Sequence, residues 1–126
     1  KDAELPSCMV KLQEVLTPAT RIVVMAHASN ILGRVYDLKE LCDFVKDITN
    51  GRAHVIVDGV TAAPHRAPAV VETGVDWYVV SCHKLFGPHL GGLCGKNSAI
   101  EEIQKSVLSP EDGNTSSIDV ASVKLY

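Results

Sequence analysis

A chain of 126 residues, 46% of them hydrophobic and 21% charged, has the length of one ordinary domain and can bury enough surface for a single core. Its net charge of −3 implies no basic surface, so nucleic acid and anionic membranes are poor partner candidates. The longest apolar run, residues 22–26, is far short of the roughly 20 residues that span a bilayer, and the charged start shows no apolar segment of a secretory signal. A cytoplasmic protein is expected, or an organellar one if a targeting segment precedes residue 1. The cysteines, Cys8, Cys42, Cys82 and Cys94, form no C-x-x-C pair and read as buried small hydrophobes in a reducing compartment. The start without Met and the helix-like end at 117–126 suggest a piece of a longer protein.

The first element is a short helix over 7–16, with Ser7 as N-cap and Met9, Leu12, Val15 and Leu16 at helical spacing, stopped by Pro18. In residues 21–26, Arg21 leads into a continuous apolar run, as expected of a strand buried on both faces in the middle of a parallel sheet. Gly33 lies in the following turn. Asp37 and Glu40 form a capping signature, Leu38, Leu41, Cys42, Val45 and Ile48 keep one helical face, and Asn50-Gly51 supplies the stop. A second strand, 54–57, completes a strand–helix–strand unit. A short helical turn over 69–73 precedes a third strand, 76–80. Only about ten residues separate that strand from Gly91-Gly92-Leu93-Cys94, too few for a parallel crossover, so the fourth strand is expected to run antiparallel to the third. A helix over 98–107, a loop at 110–114 and a final helix follow.

The three best strands all end in polar, reactive residues: His27 and Asn30, then Asp58, then Ser81, His83 and Lys84. In open α/β sheets, ligands bind beyond the carboxyl ends of the strands. A lysine at the end of a buried strand is unusual, because an ammonium is costly to bury unless it is paired or neutralised. One way to neutralise it is to make it an imine, and pyridoxal 5′-phosphate (PLP) is the commonest cofactor held so. PLP also needs a carboxylate to keep its pyridine nitrogen protonated, and Asp58 ends the preceding strand. Ser81 and His83 offer donors for its phosphate.

Three pieces carry a resemblance: Ala26-His27-Ala28-Ser29-Asn30-Ile31-Leu32-Gly33, Val57-Asp58-Gly59-Val60-Thr61-Ala62-Ala63-Pro64-His65, and Ser81-Cys82-His83-Lys84-Leu85-Phe86-Gly87-Pro88. In this order and spacing, the stretch from Arg21 to Lys96 resembles the class V aminotransferase family of PLP enzymes. Phe86-Gly87-Pro88-His89 and Pro64-His65-Arg66 look most like its cysteine-desulfurase-like branch, and Gly113-Asn114-Thr115 is weakly similar to a Gly-Thr turn of the family. The resemblance implies an α/β fold, a mixed, mostly parallel sheet flanked by helices, with residues 1–126 forming part of the large domain of a fold-type I PLP enzyme. It implies that Lys84 carries the cofactor as a Schiff base and moves protons at the substrate Cα. Asp58 would bind the pyridinium nitrogen, and Ser81 and His83 the phosphate. Asn30 would sit near the phenolic oxygen of PLP or the substrate carboxylate. Thr61 stands where the family often has Gln or His beside that oxygen. The leading reaction is desulfuration of cysteine to alanine, with transamination, epimerisation and lyase chemistry as alternatives. The implied partners are an amino-acid substrate and, for the parent protein, a second copy of itself. The family's upstream phosphate loop and ring-stacking residue, its downstream arginine and its catalytic-cysteine loop fall outside this sequence, so little turnover is expected of the chain alone.

Other readings compete. Asp58-Gly59 is also an ordinary turn signal, and Asn30 could cap its own loop. His27 reads as a satisfied, semi-buried histidine, and His65 and His89 as turn residues beside prolines. Cys82 is expected to alternate away from His83 and face the core. A zinc-binding module built on Cys82, His83, His89 and Cys94 is the strongest non-PLP constellation, but it lacks a second tight ligand pair. No G-x-G-x-x-G motif follows a strand, which weighs against dinucleotide binding.

Overall fold

The computed structural model describes residues 7–66 and 69–108. Helix α1 (Ser7–Val15) ends just before Thr17-Pro18. Strand β1 (Ile22–Ala26), helix α2 (Leu38–Thr49) and strand β2 (His54–Asp58) form the expected unit, with β1 and β2 parallel. The Asp37 carboxylate accepts from the Glu40 N–H at 3.0 Å, which satisfies one free donor of the first turn of α2. At its other end Asn50 and Gly51 both take positive φ, 52° and 70°, and Gly51 donates to the Lys46 carbonyl at 2.8 Å. Few residues other than Asn and Gly accept that left-handed geometry, so the helix stops there.

A 3-10 turn (Val70–Glu72) leads to strand β3 (Trp77–Ser81), parallel to β2. Strand β4 (Gly91–Gly95) returns antiparallel to β3, as the short connection requires, and helix α3 (Asn97–Leu108) follows. The sheet order is β1-β2-β3-β4.

Strand periodicity sorts the sheet into two faces. Val23, Val55, Val57 and Tyr78 pack with Leu38, Cys42 and Val45 of α2 in the core. The opposite face carries Ile22, Val24 and Leu93, which are 62%, 68% and 62% exposed. This corrects one expectation. The apolar run of β1 predicted a central strand, yet β1 lies at the edge of the sheet formed by the described residues, with one apolar face uncovered. A run apolar on both faces reports what could be covered, and among the described residues only one of its faces is.

A buried charge holds the amino ends of the strands. Asp76 accepts from the Lys46 ammonium at 2.6 Å and from the Val55 N–H at 2.8 Å, and Lys46 also donates to the Ala53 carbonyl at 2.7 Å. The carboxylate is buried, and its Oδ2 takes both bonds, the pairing that burial of a charge requires. The cysteine expectation holds only for Cys42, which is buried; Cys82 is half-buried and Cys94 exposed, and all three are free. The side chain of Cys8, the loop at 110–114 with its Gly-Thr turn, and the helix expected at 117–126 lie outside the described residues.

Candidate active site

Because β1, β2 and β3 are parallel neighbours, their carboxyl ends share one edge of the sheet. The ladder continues past the strands: His27 N–H donates to the Asp58 carbonyl at 2.9 Å, and Gly59 N–H donates to the Val79 carbonyl at 2.9 Å. The backbone at Asp58 is thus held from both sides. Its side chain is exposed, and Oδ1 accepts from the Val60 N–H at 2.9 Å. The other carboxylate oxygen has no protein donor among the described residues. One oxygen of Asp58 therefore closes the turn, as the turn reading expects, and the other is left over.

Gly59 is fixed by what lies under it. A Cβ at this position would fall 2.1 Å from the ring of Tyr78, so only glycine lets the chain turn so close to that ring. Tyr78 is buried, and its hydroxyl lies 2.7 Å from Nδ1 of His27, also buried. The rings meet edge to face at 78°. Burial, and then the charge of Arg66, lowers the pKa of His27 below the ordinary histidine value. Burial, and then the Asp58 carboxylate, raises that of Tyr78. His27 is thus a satisfied core histidine, as its position suggested. Tyr78 was not singled out by sequence, although a tyrosine inside an apolar strand needs a partner for its hydroxyl, and His27 was the polar group available.

Asn30 is exposed in the turn after β1. The rival reading, in which it caps its own loop, fails for a specific reason. Oγ of Ser29 takes that role, accepting from the N–H groups of Ile31 at 3.3 Å and Leu32 at 3.1 Å. Thr61 is half-buried in the turns beyond Asp58. Ser81 ends β3 on the same sheet face as Asp58, since Asp58 pairs with Val79, two positions earlier. His83 and Lys84 follow in a 3-10 turn (His83–Leu85), both exposed.

Cys82 departs from expectation. It has helical dihedrals, φ −62° and ψ −33°, so strand alternation does not apply to it. It sits half-buried at the start of the 3-10 turn, with its carbonyl accepting from Gly87 N–H at 2.7 Å, rather than in the core. His65 is exposed in a turn. No hydrogen bond joins Asn30, Asp58, Thr61, Ser81, His83 and Lys84 to one another among the described residues; they share an edge, not a network. Among those residues Lys84, His83, His89 and Arg66 are also outside any ion pair, and no three His, Cys, Asp or Glu side chains gather in a way that could hold a metal ion.

Comparison with known proteins places this arrangement. The sequence profile described as Aminotransferase class-V matches residues 3–124. The chain belongs to the class V aminotransferase family. It is 41% identical over 96 residues to the cysteine desulfurase-like protein ustD of Aspergillus flavus, covering 76% of this chain and 21% of that protein. It is 40% identical over 92 residues to a probable cysteine desulfurase of Halobacterium salinarum, covering 72% and 21%. Among solved structures, the cysteine desulfurase CsdA of Escherichia coli superposes with a TM-score of 0.63 at 32% identity, over 80% of this chain and 25% of that one. A cystine C-S lyase, C-DES, solved with its product cysteine persulfide, gives 0.68 at 28% identity, over 77% and 26%. The chain thus spans about a fifth of the length of these curated relatives. Its sheet, mixed and mostly parallel, is that of fold-type I PLP enzymes. No helix among the described residues is long and apolar enough to cross a membrane.

Proposed function

We propose that this protein is a PLP-dependent enzyme acting on an amino acid, with Lys84 as the covalent anchor of the cofactor. We propose further that its reaction is cysteine desulfuration, in which cysteine and a thiol give alanine and a persulfide. The observation that carries the reading is the state of Asp58. It is a carboxylate with one oxygen committed to the Val60 N–H and one that meets no donor among the described residues, at the same sheet edge as a lysine those residues leave unpaired, on the neighbouring strand's loop. A pyridinium N–H suits the free oxygen and an aldehyde suits the amine. A phosphate suits the unpaired cations and the hydroxyl of Ser81.

When bound, PLP supplies an electron sink for charge released at the amino acid's Cα. The chain's own groups would do the rest. The carboxylate of Asp58 holds the proton on the ring nitrogen, because an anion beside a pyridinium favours its charged form. The Nζ of Lys84 takes and returns the proton at Cα. The Ser81 hydroxyl and a His83 ring N–H would donate to phosphate oxygens. Asn30, with its carboxamide free of local turn duty, serves the ring's phenolic oxygen or the substrate carboxylate. The Thr61 hydroxyl would serve that same phenolic oxygen.

The reaction is chosen from the relatives at 40–41% identity, whose names are those of cysteine desulfurases or proteins like them. Incubating the full-length protein with L-cysteine and a thiol tests it. Alanine with equimolar persulfide is expected. Pyruvate and ammonia would make it a lyase, a keto acid from an added amino donor a transaminase, and D-cysteine an epimerase. Any of these three would replace desulfuration while keeping the cofactor assignment.

A further inference from the structure

The loop from Cys82 to Leu90, which carries Lys84, is closed on itself. Cys82 N–H donates to the Leu90 carbonyl at 2.8 Å, and the Cys82 carbonyl accepts from both Leu85 at 3.0 Å and Gly87 at 2.7 Å. Phe86 takes a left-handed φ of 62°, and the Leu90 N–H bonds back to the Pro88 carbonyl at 2.8 Å. This folded loop brings His89 against His83. Their ring centroids are 4.1 Å apart and their planes differ by 17°, a stacked pair.

Both histidines are exposed, so core packing does not force them together. Neither ring is held by a protein hydrogen bond among the described residues, so stacking is what sets the plane of His83, and its ring nitrogens are left without a protein partner there. A side chain one residue before Lys84, with a set plane and a ring N–H to offer, is prepared to meet an anionic group. We infer that His89 is a positioning residue: its ring holds the His83 imidazole in the orientation in which it donates to the cofactor's phosphate. This inference rests on the functional reading above and adds a residue to it.

The test uses full-length apoprotein carrying His89→Ala, His89→Leu or His89→Phe, titrated with PLP and separately with pyridoxal, which lacks the phosphate. The Ala and Leu variants are expected to bind PLP about two- to tenfold more weakly, the weight of one stacked aromatic pair. His89→Phe, which keeps a flat ring, is expected to restore affinity to within about twofold. Pyridoxal should bind all four proteins alike. Unchanged PLP affinity in His89→Ala overturns the inference. So does a Phe variant as weak as the Ala variant, or an equal loss for pyridoxal, which would mark a general disturbance of the loop. Wild-type protein that takes up no PLP would instead overturn the functional reading itself.

Discussion

The side chains of His27 and Tyr78 meet at 2.7 Å in the core and thereby tie the end of β1 to β3, across β2, directly behind the Asp58-Gly59 turn. Removing the phenol in Tyr78→Phe leaves Nδ1 of His27 buried without a partner. That unsatisfied group is expected to cost about 1–3 kcal/mol, read as a shift in the urea midpoint. A midpoint unchanged from wild type would mean the bond contributes nothing to the fold.

The same pair sets a pH dependence. His27 titrates lower in the folded protein than in the unfolded chain, so below neutrality the unfolded chain binds more protons. Its contribution to stability is therefore complete above about pH 6.5, the ordinary histidine value, and is lost as pH falls below that and through the lower folded value. Replacing His27 with Gln is expected to flatten this slope. An unaltered slope would assign it to other groups.

Gly59→Ala puts a methyl group into the ring of Tyr78. Overpacking of this kind costs about 1–3 kcal/mol, and here the strain falls on the turn that presents Asp58. A lower melting temperature and weakened PLP binding are expected together in this variant. Loss of neither would show that the turn has room to move.

Cys42 and Cys94 should differ sharply as thiols. Burial is the main cause that pushes the Cys42 thiol up to about 11, whereas Cys94 is exposed. In native protein at neutral pH, Cys94 is expected to react with a thiol reagent at once and Cys42 only after unfolding. The raised value also means that Cys42 contributes stability below about pH 9 that fades as pH climbs toward 11. Mass mapping of the labelled cysteines checks the order of reaction.

Most of the fold was legible because its signals are local. The Asp37 cap, the Asn50-Gly51 stop and the short β3–β4 connection each act over a few residues, and each is found as read. The errors came where a local pattern was asked a non-local question. The run in β1 could not report whether anything covers its second face, and Cys82 was placed by strand alternation in a segment that had already turned helical. The sheet edge that gathers Asn30, Asp58 and Ser81 followed from strand polarity alone. The His27–Tyr78 bond and the His83–His89 stack did not, because each depends on side chains meeting across the tertiary structure.

Asp58→Asn preserves the size of the side chain and leaves an acceptor for the Val60 N–H, so the fold should persist. What it removes is the anion that keeps the ring nitrogen protonated. Turnover is expected to drop by at least about a hundredfold, a typical weight for a group that holds or moves a proton in the reaction. A spectral shift of the bound cofactor is expected with it. Full activity would mean that Asp58 only closes its turn.

The assignment of Lys84 is tested most directly by borohydride reduction of the full-length protein in the presence of PLP, followed by peptide mapping. One equivalent of stable label on the peptide containing Lys84, abolished in Lys84→Ala, is the expected result. Label fixed to a different lysine, or none fixed at all, would contradict it.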